Sequence, residues 1–340
     1  MPRLRRSDCS APGLTRRRRG RGFSYLDIEG GSVDEAAVLG RIDALAIPPA
    51  WKQVWICRDP LGHLQATGVD SAGRKQYLYH EQWRRRRDHA KFDAMLEFAA
   101  ALPRLRRRAR RDLHGRGLTH ERTLGCALLL LDLGFFRIGS EAYAEHDGTY
   151  GLVTMRKRHV TVDADELVFD YRSKGGRRRV QAIADPDLRA AVAELKRRRG
   201  GGEQLLVYRD GRHWVGLRSD DLNQRIKQLA GEEFSAKDFR TWNATVLAAV
   251  AVAGAAAGDA ARTKTARGRQ ITAAVKSVAV YLGNTPAVCR RSYIDPRVFD
   301  RFRAGHTIAD SLASSPGPID LSKRAQRERV EAAALELLGA

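Results

Sequence analysis

A tyrosine near the C-terminal end of the sequence lies close to two arginines and could attack a phosphodiester. Tyr293 follows Arg290 and Arg291 at the end of a short segment that begins at Thr285. A phenol has a pKa of about 10, so it needs neighbouring cations or a base to act as a nucleophile at neutral pH. The alternative is a core tyrosine whose hydroxyl group is satisfied by a hydrogen bond.

Two predicted helices flank the connection that leads to this tyrosine. Apolar residues at helical spacing between Ile271 and Leu282 predict the first helix, and Gly283 is typical of its C-terminal end. Thr285 followed by Pro286 is typical of the N-cap and first position of a second helix. We expect this second helix to present Tyr293 beside Arg290 and Arg291 and to end before Pro296.

Two arginines elsewhere occupy positions suited to binding a phosphate. Arg137 lies at a predicted helix-to-helix junction marked by Gly134 and Gly139, where backbone N–H groups are available to an anion. A surface ion pair with Glu141 is the alternative. Arg240 lies at the N-terminal end of a predicted alanine-rich helix, where a cation is unfavourable unless an anion binds next to it.

A lysine is predicted at the tip of a β-hairpin. Residues 159–183 contain three alternating segments typical of an antiparallel meander, and Lys174 precedes Gly175 and Gly176 in the second turn. A lysine on such a turn is usually solvated, and its position alone indicates no function.

The composition indicates a polyanionic partner. The chain has 340 residues, with 61 Lys and Arg against 40 Asp and Glu, which gives a net charge of +21. This excess favours nucleic acid as the partner, and the length favours two domains. The four cysteines are far apart and form no CxxC pair, which indicates a reducing compartment without a zinc site. No apolar run is long enough to span a bilayer, and no secretory signal is present, so we expect an intracellular protein.

The chain is predicted to have a basic tail and two domains. Residues 1–21 are arginine-rich and are predicted to be disordered. Residues 22–87 predict a small β-rich DNA-binding domain, and residues 88–340 a larger, mainly helical domain with a small antiparallel sheet, so the predicted fold class is α+β. Within the larger domain we expect a helix ending at Pro103, helices across 184–230, a polar loop at 258–270 and a C-terminal helix over 322–340.

One predicted strand of the smaller domain mixes cations, an amide and aromatic rings. Gln76, Tyr77 and Tyr79 lie on it, after Arg74 and Lys75. Such residues can bind phosphates and reach base edges in a DNA groove. The same pattern is compatible with an ordinary half-buried strand that has a solvated polar face.

Taken together, these segments resemble the bacterial, poxvirus-like branch of the type IB DNA topoisomerases, from residue 22 to residue 296. The resemblance implies a β-rich N-terminal domain and a mainly helical catalytic domain, related to tyrosine recombinases, that form a clamp around duplex DNA as a monomer. The motifs that carry it are IPPAW (47–51), LQATG (64–68), GRKQYLYH (73–80), FRIGSEAY (136–143), TYGLVT (149–154), SKGG (173–176), KDFRTW (237–242) and LGNTPAVCRRSYIDP (282–296).

The resemblance also implies roles for individual residues. Tyr293 matches the nucleophile, Arg137 and Arg240 match two arginines that stabilise the transition state, and Lys174 matches the general acid. Asn284 stands where viral members carry a histidine, and it can supply a hydrogen-bond donor to a non-bridging phosphate oxygen. The implied DNA-contact residues are Gln76, Tyr77, Tyr79, Tyr143 and Lys237.

The implied reaction relaxes supercoiled DNA through a 3′-phosphotyrosyl intermediate, strand rotation and religation. Neither metal nor ATP is expected, because arginines neutralise the phosphate and the phosphotyrosine conserves the bond energy. A cytoplasmic, nucleoid-associated location follows from this substrate. One alternative is a tyrosine recombinase, although these usually carry His-x-x-Arg where this chain has Lys237-Asp-Phe-Arg240. The other is a non-catalytic DNA-binding protein that has kept the fold.

Overall fold

The structure is a computed structural model that describes residues 3–256, 263–309, 321 and 323–339, without the side chains of residues 89, 142, 143 and 256. It has the α+β architecture that the sequence predicts. The chain divides into two compact units, Met1–Phe92 and Asp93–Ala340. The predicted boundary, after residue 87, lies within the long helix that crosses this division.

An antiparallel five-stranded sheet forms the first unit, with strand order β2-β1-β3-β4-β5. The helix α1 (Ala36–Ala44) places Ile42 in a core with the buried faces of β1, β3 and β4. This core can form because apolar residues alternate along the strands and therefore reach one side of the sheet. The strands are β1 (Leu14–Arg19), β2 (Gly22–Leu26), β3 (Lys52–Ile56), β4 (Leu64–Val69) and β5 (Lys75–Tyr79).

The prediction of a disordered tail over residues 1–21 is wrong for residues 3–21, the part of that segment that the structure describes. Leu14 is buried in the core of the first unit and pairs with Ile56 of β3. Upstream of β1, the hydroxyl group of Ser7 donates to the carbonyl of Leu64 at 2.9 Å. The arginine-rich composition concealed this strand, because one buried leucine and a paired backbone are sufficient to anchor it while the arginines remain in solvent.

The second unit is mainly helical and contains a three-stranded and a two-stranded antiparallel sheet. The long helix α2 runs into it from the first unit. The helices are α2 (Glu81–Leu113), α3 (His120–Gly134), α4 (Glu141–His146), α5 (Pro186–Arg197), α6 (Ser219–Ala230), α7 (Ala236–Ala256), α8 (Lys264–Leu282), α9 (Pro286–Ser292), α10 (Pro296–Ala304) and α11 (Arg324–Gly339). The strands are β6 (Val160–Val162), β7 (Leu167–Ser173), β8 (Arg177–Ile183), β9 (Val207–Asp210) and β10 (His213–Gly216).

Three local predictions for this unit need correction. Pro103 lies inside α2 and does not end it, because Leu102 and Leu105 are both buried and tertiary packing outweighs the proline. Residues 184–230 include the β9–β10 hairpin between two helices. Residues 264–270 of the predicted loop belong to α8, whose N-cap Thr263 accepts a hydrogen bond from the N–H of Ala266. Residues 258–262 of that loop lie outside the described part.

Four charged side chains form a buried network that joins α2, α3 and α11. Arg106 donates two hydrogen bonds of 2.9 Å to the carboxylate of Asp132 and two, of 2.5 and 2.8 Å, to that of Glu331. Arg327 also donates to Asp132, and to Glu331 at 3.1 Å. Burial alone would raise the pKa of Asp132, but Arg106 and Arg327 lower it to about 2. The network therefore fixes the C-terminal helix against the helix that leads to Arg137.

We expect the substitution Asp132→Asn to destabilise the protein by about 3–5 kcal/mol at pH 7, because it leaves two buried arginines without their shared carboxylate. The ordinary pKa of this carboxyl group is 3.8, so its contribution is complete above that value and is lost as the pH falls through about 2. Urea unfolding followed by circular dichroism should therefore show a difference from wild type that shrinks between about pH 4 and pH 2.

A matched control is Glu328→Gln on α11, because Glu328 pairs with Arg324 and both side chains are well exposed. Its effect should stay below about 1 kcal/mol. Equal effects of the two substitutions at pH 7 would contradict a stabilising role of the buried network.

Candidate active site

Tyr293 is the C-cap residue of α9, one position beyond the helix that was predicted to present it. Its N–H donates to the carbonyl of Cys289 at 3.0 Å, and its side chain is half-buried. The hydroxyl group of Thr245, on α7, lies 3.3 Å from the carbonyl of Tyr293 and accepts the N–H of Asp295 at 3.1 Å. Backbone contacts on both sides therefore hold Tyr293 against α7.

The cation next to the tyrosine ring is Arg240. Its guanidinium carbon lies 5.3 Å from the centroid of the Tyr293 ring. Arg290 and Arg291, the predicted neighbours, are exposed on α9, and Arg290 lies over the ring of Phe299. The prediction that Arg290 and Arg291 supply the positive charge beside Tyr293 is therefore corrected. They belong to α9, whereas Tyr293 lies beyond its last residue, so closeness in sequence does not bring the side chains together.

Arg240 is buried and held by the ends of two other helices. It donates to the carbonyl of Phe135, just after α3, and at 2.8 Å to that of Leu282, the last residue of α8. Both are C-terminal carbonyl groups that lack a partner within their own helix, so a guanidinium is a favourable donor for them. Burial, followed by the nearby charge of Arg137, lowers the pKa of Arg240 to about 10, which leaves it charged at neutral pH.

The backbone at both helix ends is in the left-handed region. Phe135 has φ 53° and Gly283 has φ 62°. For a phenylalanine this conformation costs about 1–3 kcal/mol and persists where the surrounding contacts enforce it. The turn at Phe135 directs its carbonyl group to Arg240 and begins the connection that carries Arg137 toward the α8–α9 loop.

Arg137 and Asn284 are in direct contact. The Arg137 guanidinium donates to the side-chain oxygen of Asn284 and, at 3.2 Å, to the carbonyl of Gly283. The oxygen of the amide is thus occupied, while its Nδ2 atom is buried and has no hydrogen-bond partner among the described residues. A buried donor without a partner is costly, so this amide is oriented to donate to an incoming acceptor.

The structure adds a third guanidinium, Arg179 on β8, that the sequence interpretation missed. Burial lowers its pKa, and Arg137 lies close enough to lower it further. No salt bridge to a carboxylate joins Arg137, Arg179 or Arg240 in the part of the chain that the structure describes. Period-two alternation could have singled out Arg179, because it places Arg178 on the opposite face, where Arg178 pairs with Asp170.

Lys174 lies in the turn between β7 and β8, as predicted, and its side chain is exposed. Gly175 and Gly176 follow it with φ values of 79° and 72°, which only glycine adopts readily. The turn therefore carries the lysine at the tip of the hairpin whose second strand includes Arg179. Lys237 is exposed in the first turn of α7, and the side chain of Tyr143, on α4, lies outside the described residues.

The predicted DNA-contact residues of the first unit divide between the two faces of β5. The rings of Tyr77 and Tyr79 stack at 6.2 Å, with 46% and 38% of each residue exposed. Lys75 lies over the ring of Tyr77 on the same face. Gln76 faces the other side, where its amide donates to Asp70 at 2.9 Å. The structure therefore presents the two tyrosines together and ties Gln76 into the turn before β5.

Cys289, four residues before Tyr293, is another potential nucleophile, and its environment makes it inert. It is fully buried, and this burial raises the pKa of its thiol to about 11. A thiol is a weak nucleophile until it ionises. Among the residues that the structure describes, no cluster of His, Cys, Asp or Glu could hold a metal ion, and no helix is long and apolar enough to cross a membrane.

Comparison with known proteins places the chain in one family. A model of the eukaryotic DNA topoisomerase I catalytic core matches residues 80–307, and a model of the bacterial DNA topoisomerase IB N-terminal domain matches residues 22–70. DNA topoisomerase 1B of Acanthamoeba polyphaga mimivirus is 30% identical over 287 residues, which cover 83% of this chain and 85% of that protein.

Two other relatives match smaller parts. DNA topoisomerase 1B of vaccinia virus (strain Western Reserve) is 23% identical over 124 residues, or 36% of this chain and 39% of that protein. DNA topoisomerase 1 of Schizosaccharomyces pombe is 31% identical over 143 residues, or 42% of this chain and 16% of that protein.

The fold and these matches define an isomerase that changes the topology of DNA. The chain belongs to the type IB DNA topoisomerase family and carries the bacterial type of N-terminal domain. Relaxation of DNA is the general function of this family.

We expect Asn284→Asp to lower the rate of plasmid relaxation at least tenfold, a loss of roughly 1.4 kcal/mol or more, because a carboxylate cannot donate and would pair with Arg137. Asn284→His, which keeps an N–H donor, should retain most of the activity. Relaxation of supercoiled plasmid by each purified variant measures the difference. Similar activity of the Asp variant and wild type would contradict the donor role.

Proposed function

We propose that this protein relaxes supercoiled duplex DNA by transient cleavage of one strand, with Tyr293 as the nucleophile. The Tyr293 oxygen attacks the phosphorus atom and the bond to the 5′ oxygen breaks, which leaves a 3′-phosphotyrosyl bond and a free 5′-OH strand that rotates. Religation by that hydroxyl group reverses the step. The observation that carries the proposal is the buried Arg240 guanidinium 5.3 Å from the Tyr293 ring, with no carboxylate paired to it in the described structure.

Arg137 and Arg240 are proposed to bind the non-bridging oxygens of the phosphate, together with the amide of Asn284. Attack on a phosphodiester adds negative charge to these oxygens. Fixed hydrogen-bond donors in a site partly shielded from water stabilise this charge. Removing one such donor typically costs about 2.7–4 kcal/mol of transition-state stabilisation. The guanidiniums supply the positive charge that a metal ion supplies elsewhere, so we expect activity in EDTA.

Lys174 is proposed as the general acid. The departing 5′ alkoxide is strongly basic, and a proton from a positioned lysine contributes roughly 10²–10⁴-fold to such a step. The glycine turn lets the lysine approach once DNA is bound. The phosphotyrosyl bond retains the energy of the cleaved phosphodiester bond, so the cycle is proposed to need no ATP.

We propose duplex DNA as the partner of a monomer that closes as a clamp, with a cytoplasmic, nucleoid-associated location. The exposed Tyr77–Tyr79 face, with Lys75, is suited to contact DNA through rings and charge. Lys237 and Tyr143 are proposed as further contacts in the second unit. Gln76 would have to leave Asp70 to reach a base edge.

The decisive experiment compares wild type with Tyr293→Phe in EDTA and without ATP. We expect wild type to relax plasmids of both supercoil signs and to form a covalent adduct at the 3′ side of a nick. The phenylalanine variant keeps the ring next to Arg240, so it should bind DNA normally and neither relax nor form the adduct. Gel electrophoresis of plasmid topoisomers and of denatured, end-labelled DNA measures both.

Each contrary outcome points elsewhere. Recombinant products from a plasmid that carries two cleavage sites would favour the tyrosine recombinase. Tight binding of DNA by wild type without any covalent adduct would favour a non-catalytic DNA-binding protein. Full activity of Tyr293→Phe would show that another residue is the nucleophile.

A further inference from the structure

The β1–β2 hairpin, at one edge of the sheet of the first unit, extends past the end of its pairing with β3. Only Leu14 and Thr15 of β1 pair with β3, whereas the rest of β1 pairs with β2 alone, out to Arg19 opposite Gly22. Gly20, with φ 57°, begins the two-residue turn. At about 3.3 Å per residue, the four residues from Arg16 to Arg19 project roughly 13 Å.

One arginine anchors this hairpin and four face solvent. Arg16 donates to the carbonyls of Pro48 and Trp51 at 3.0 and 2.8 Å and lies over the ring of Phe23 at 4.1 Å. The other arginines are exposed and form no salt bridge in the described structure; they are Arg17, Arg18, Arg19 and Arg21. The hairpin is therefore held at its base and carries four unneutralised charges beyond it.

We infer that the β1–β2 hairpin is a DNA-binding element that contacts phosphates on duplex DNA. A two-stranded ribbon fits the major groove, which is about 12 Å wide, and exposed guanidiniums on both faces of the ribbon can reach phosphates on either side. β1 lies outside the residues that the two family models match, 22–70 and 80–307. Solvated arginines that merely protect an edge strand from pairing are the alternative.

The salt dependence of binding tests this inference, which rests on duplex DNA being the substrate. A full-length variant with Arg17, Arg18, Arg19 and Arg21 all changed to Gln should bind a short duplex more weakly. The slope of log K against log salt should fall by about 0.9 for each lost phosphate contact, up to about 3.6. The control changes Arg107, Arg111, Arg197 and Arg212, which are exposed in the second unit, and removes the same charge.

A slope equal to that of wild type, or a loss no larger than in the control, would overturn the inference. If wild type itself fails to bind duplex DNA, the proposed function fails instead.

A second, independent observation concerns Arg179, which joins two elements of the candidate active site. Its guanidinium donates to the carbonyl of Tyr281 near the end of α8 and, at 2.7 Å, to Gln181 on its own strand. Its Nη1 atom lies 2.7 Å from where a Cβ atom on Gly283 would be, so the α8–α9 loop packs directly against it. The Nε atom is buried without a partner among the described residues.

The α8–α9 loop is held by other residues as well, so the contact with Arg179 is suited to position the β7–β8 hairpin. Arg137 holds Gly283 and Asn284, and Arg240 holds Leu282. The β7–β8 pairing runs from Leu167 opposite Ile183 to Ser173 opposite Arg177, next to the turn that carries Lys174. Arg179 therefore joins the hairpin to the α8–α9 loop at a point close to the tip of the hairpin.

We propose that Arg179 is a positioning residue that directs Lys174 to the leaving oxygen, an inference that rests on the proposed function. The test uses a duplex whose scissile 5′ oxygen is replaced by sulfur. A thiolate leaves without a proton, so a defect that acts through the general acid disappears on this substrate. A defect in binding the non-bridging oxygens persists.

Arg179→Met should slow single-turnover cleavage of the oxygen substrate by about tenfold or more, within the 10²–10⁴-fold range of general-acid catalysis, and should approach the wild-type rate on sulfur. Lys174→Ala should behave likewise, and Arg137→Met should be slow on both substrates. Arg179→Lys, which keeps the charge, should be intermediate on oxygen and serves if the Met variant does not fold.

A defect of either Arg179 variant that is equal on oxygen and sulfur would overturn the positioning role. If sulfur fails to rescue Lys174→Ala, the general acid is not Lys174 and the proposed mechanism fails at that step, whatever Arg179 does.

Discussion

The candidate active site depends on one buried cation that has no anionic partner in the described protein. Arg240 satisfies the C-terminal carbonyl groups of α3 and α8 and lies against the ring of Tyr293. The two carbonyls compensate part of the cost of burying the charge, and the uncompensated burial, followed by the nearby charge of Arg137, lowers the pKa of Arg240 to about 10. A bound phosphate would compensate the remaining cost of burying this charge, so the site is suited to bind an anion from solution.

This constraint explains the surrounding architecture. The left-handed turn at Phe135 directs its carbonyl group to Arg240, and the carbonyl of Leu282, just before the left-handed Gly283, accepts from the same guanidinium. The connections that follow these two turns bring Arg137 to Asn284. Thr245 fixes the tyrosine backbone from α7, the helix that carries Arg240. The proposed nucleophile, the buried charge and the proposed hydrogen-bond donor are thus placed by the ends of helices, where unpaired backbone groups offer fixed dipoles.

Local rules in the sequence predict part of this site. The glycines around Arg137, the cap at Thr285 and the cation at the start of α7 led to the correct elements, because each rule concerns a few adjacent residues. Closeness in sequence gave a wrong prediction where tertiary packing determines which side chains meet. Arg290 and Arg291 precede Tyr293 in the sequence, yet Arg240 lies next to its ring. Arg179 was overlooked in a run of three arginines, and Leu14 was hidden in a segment whose composition indicates disorder.

The buried charge network also sets an order in time. Asp132, which precedes the turn to Arg137, is completed by Arg327, 195 residues later along the chain. During synthesis the segment that contains Tyr293 is made before α11, so a nascent chain holds every candidate catalytic residue while Asp132 still lacks one of its two arginines. The catalytic unit therefore reaches its full stability only after α11 has left the ribosome.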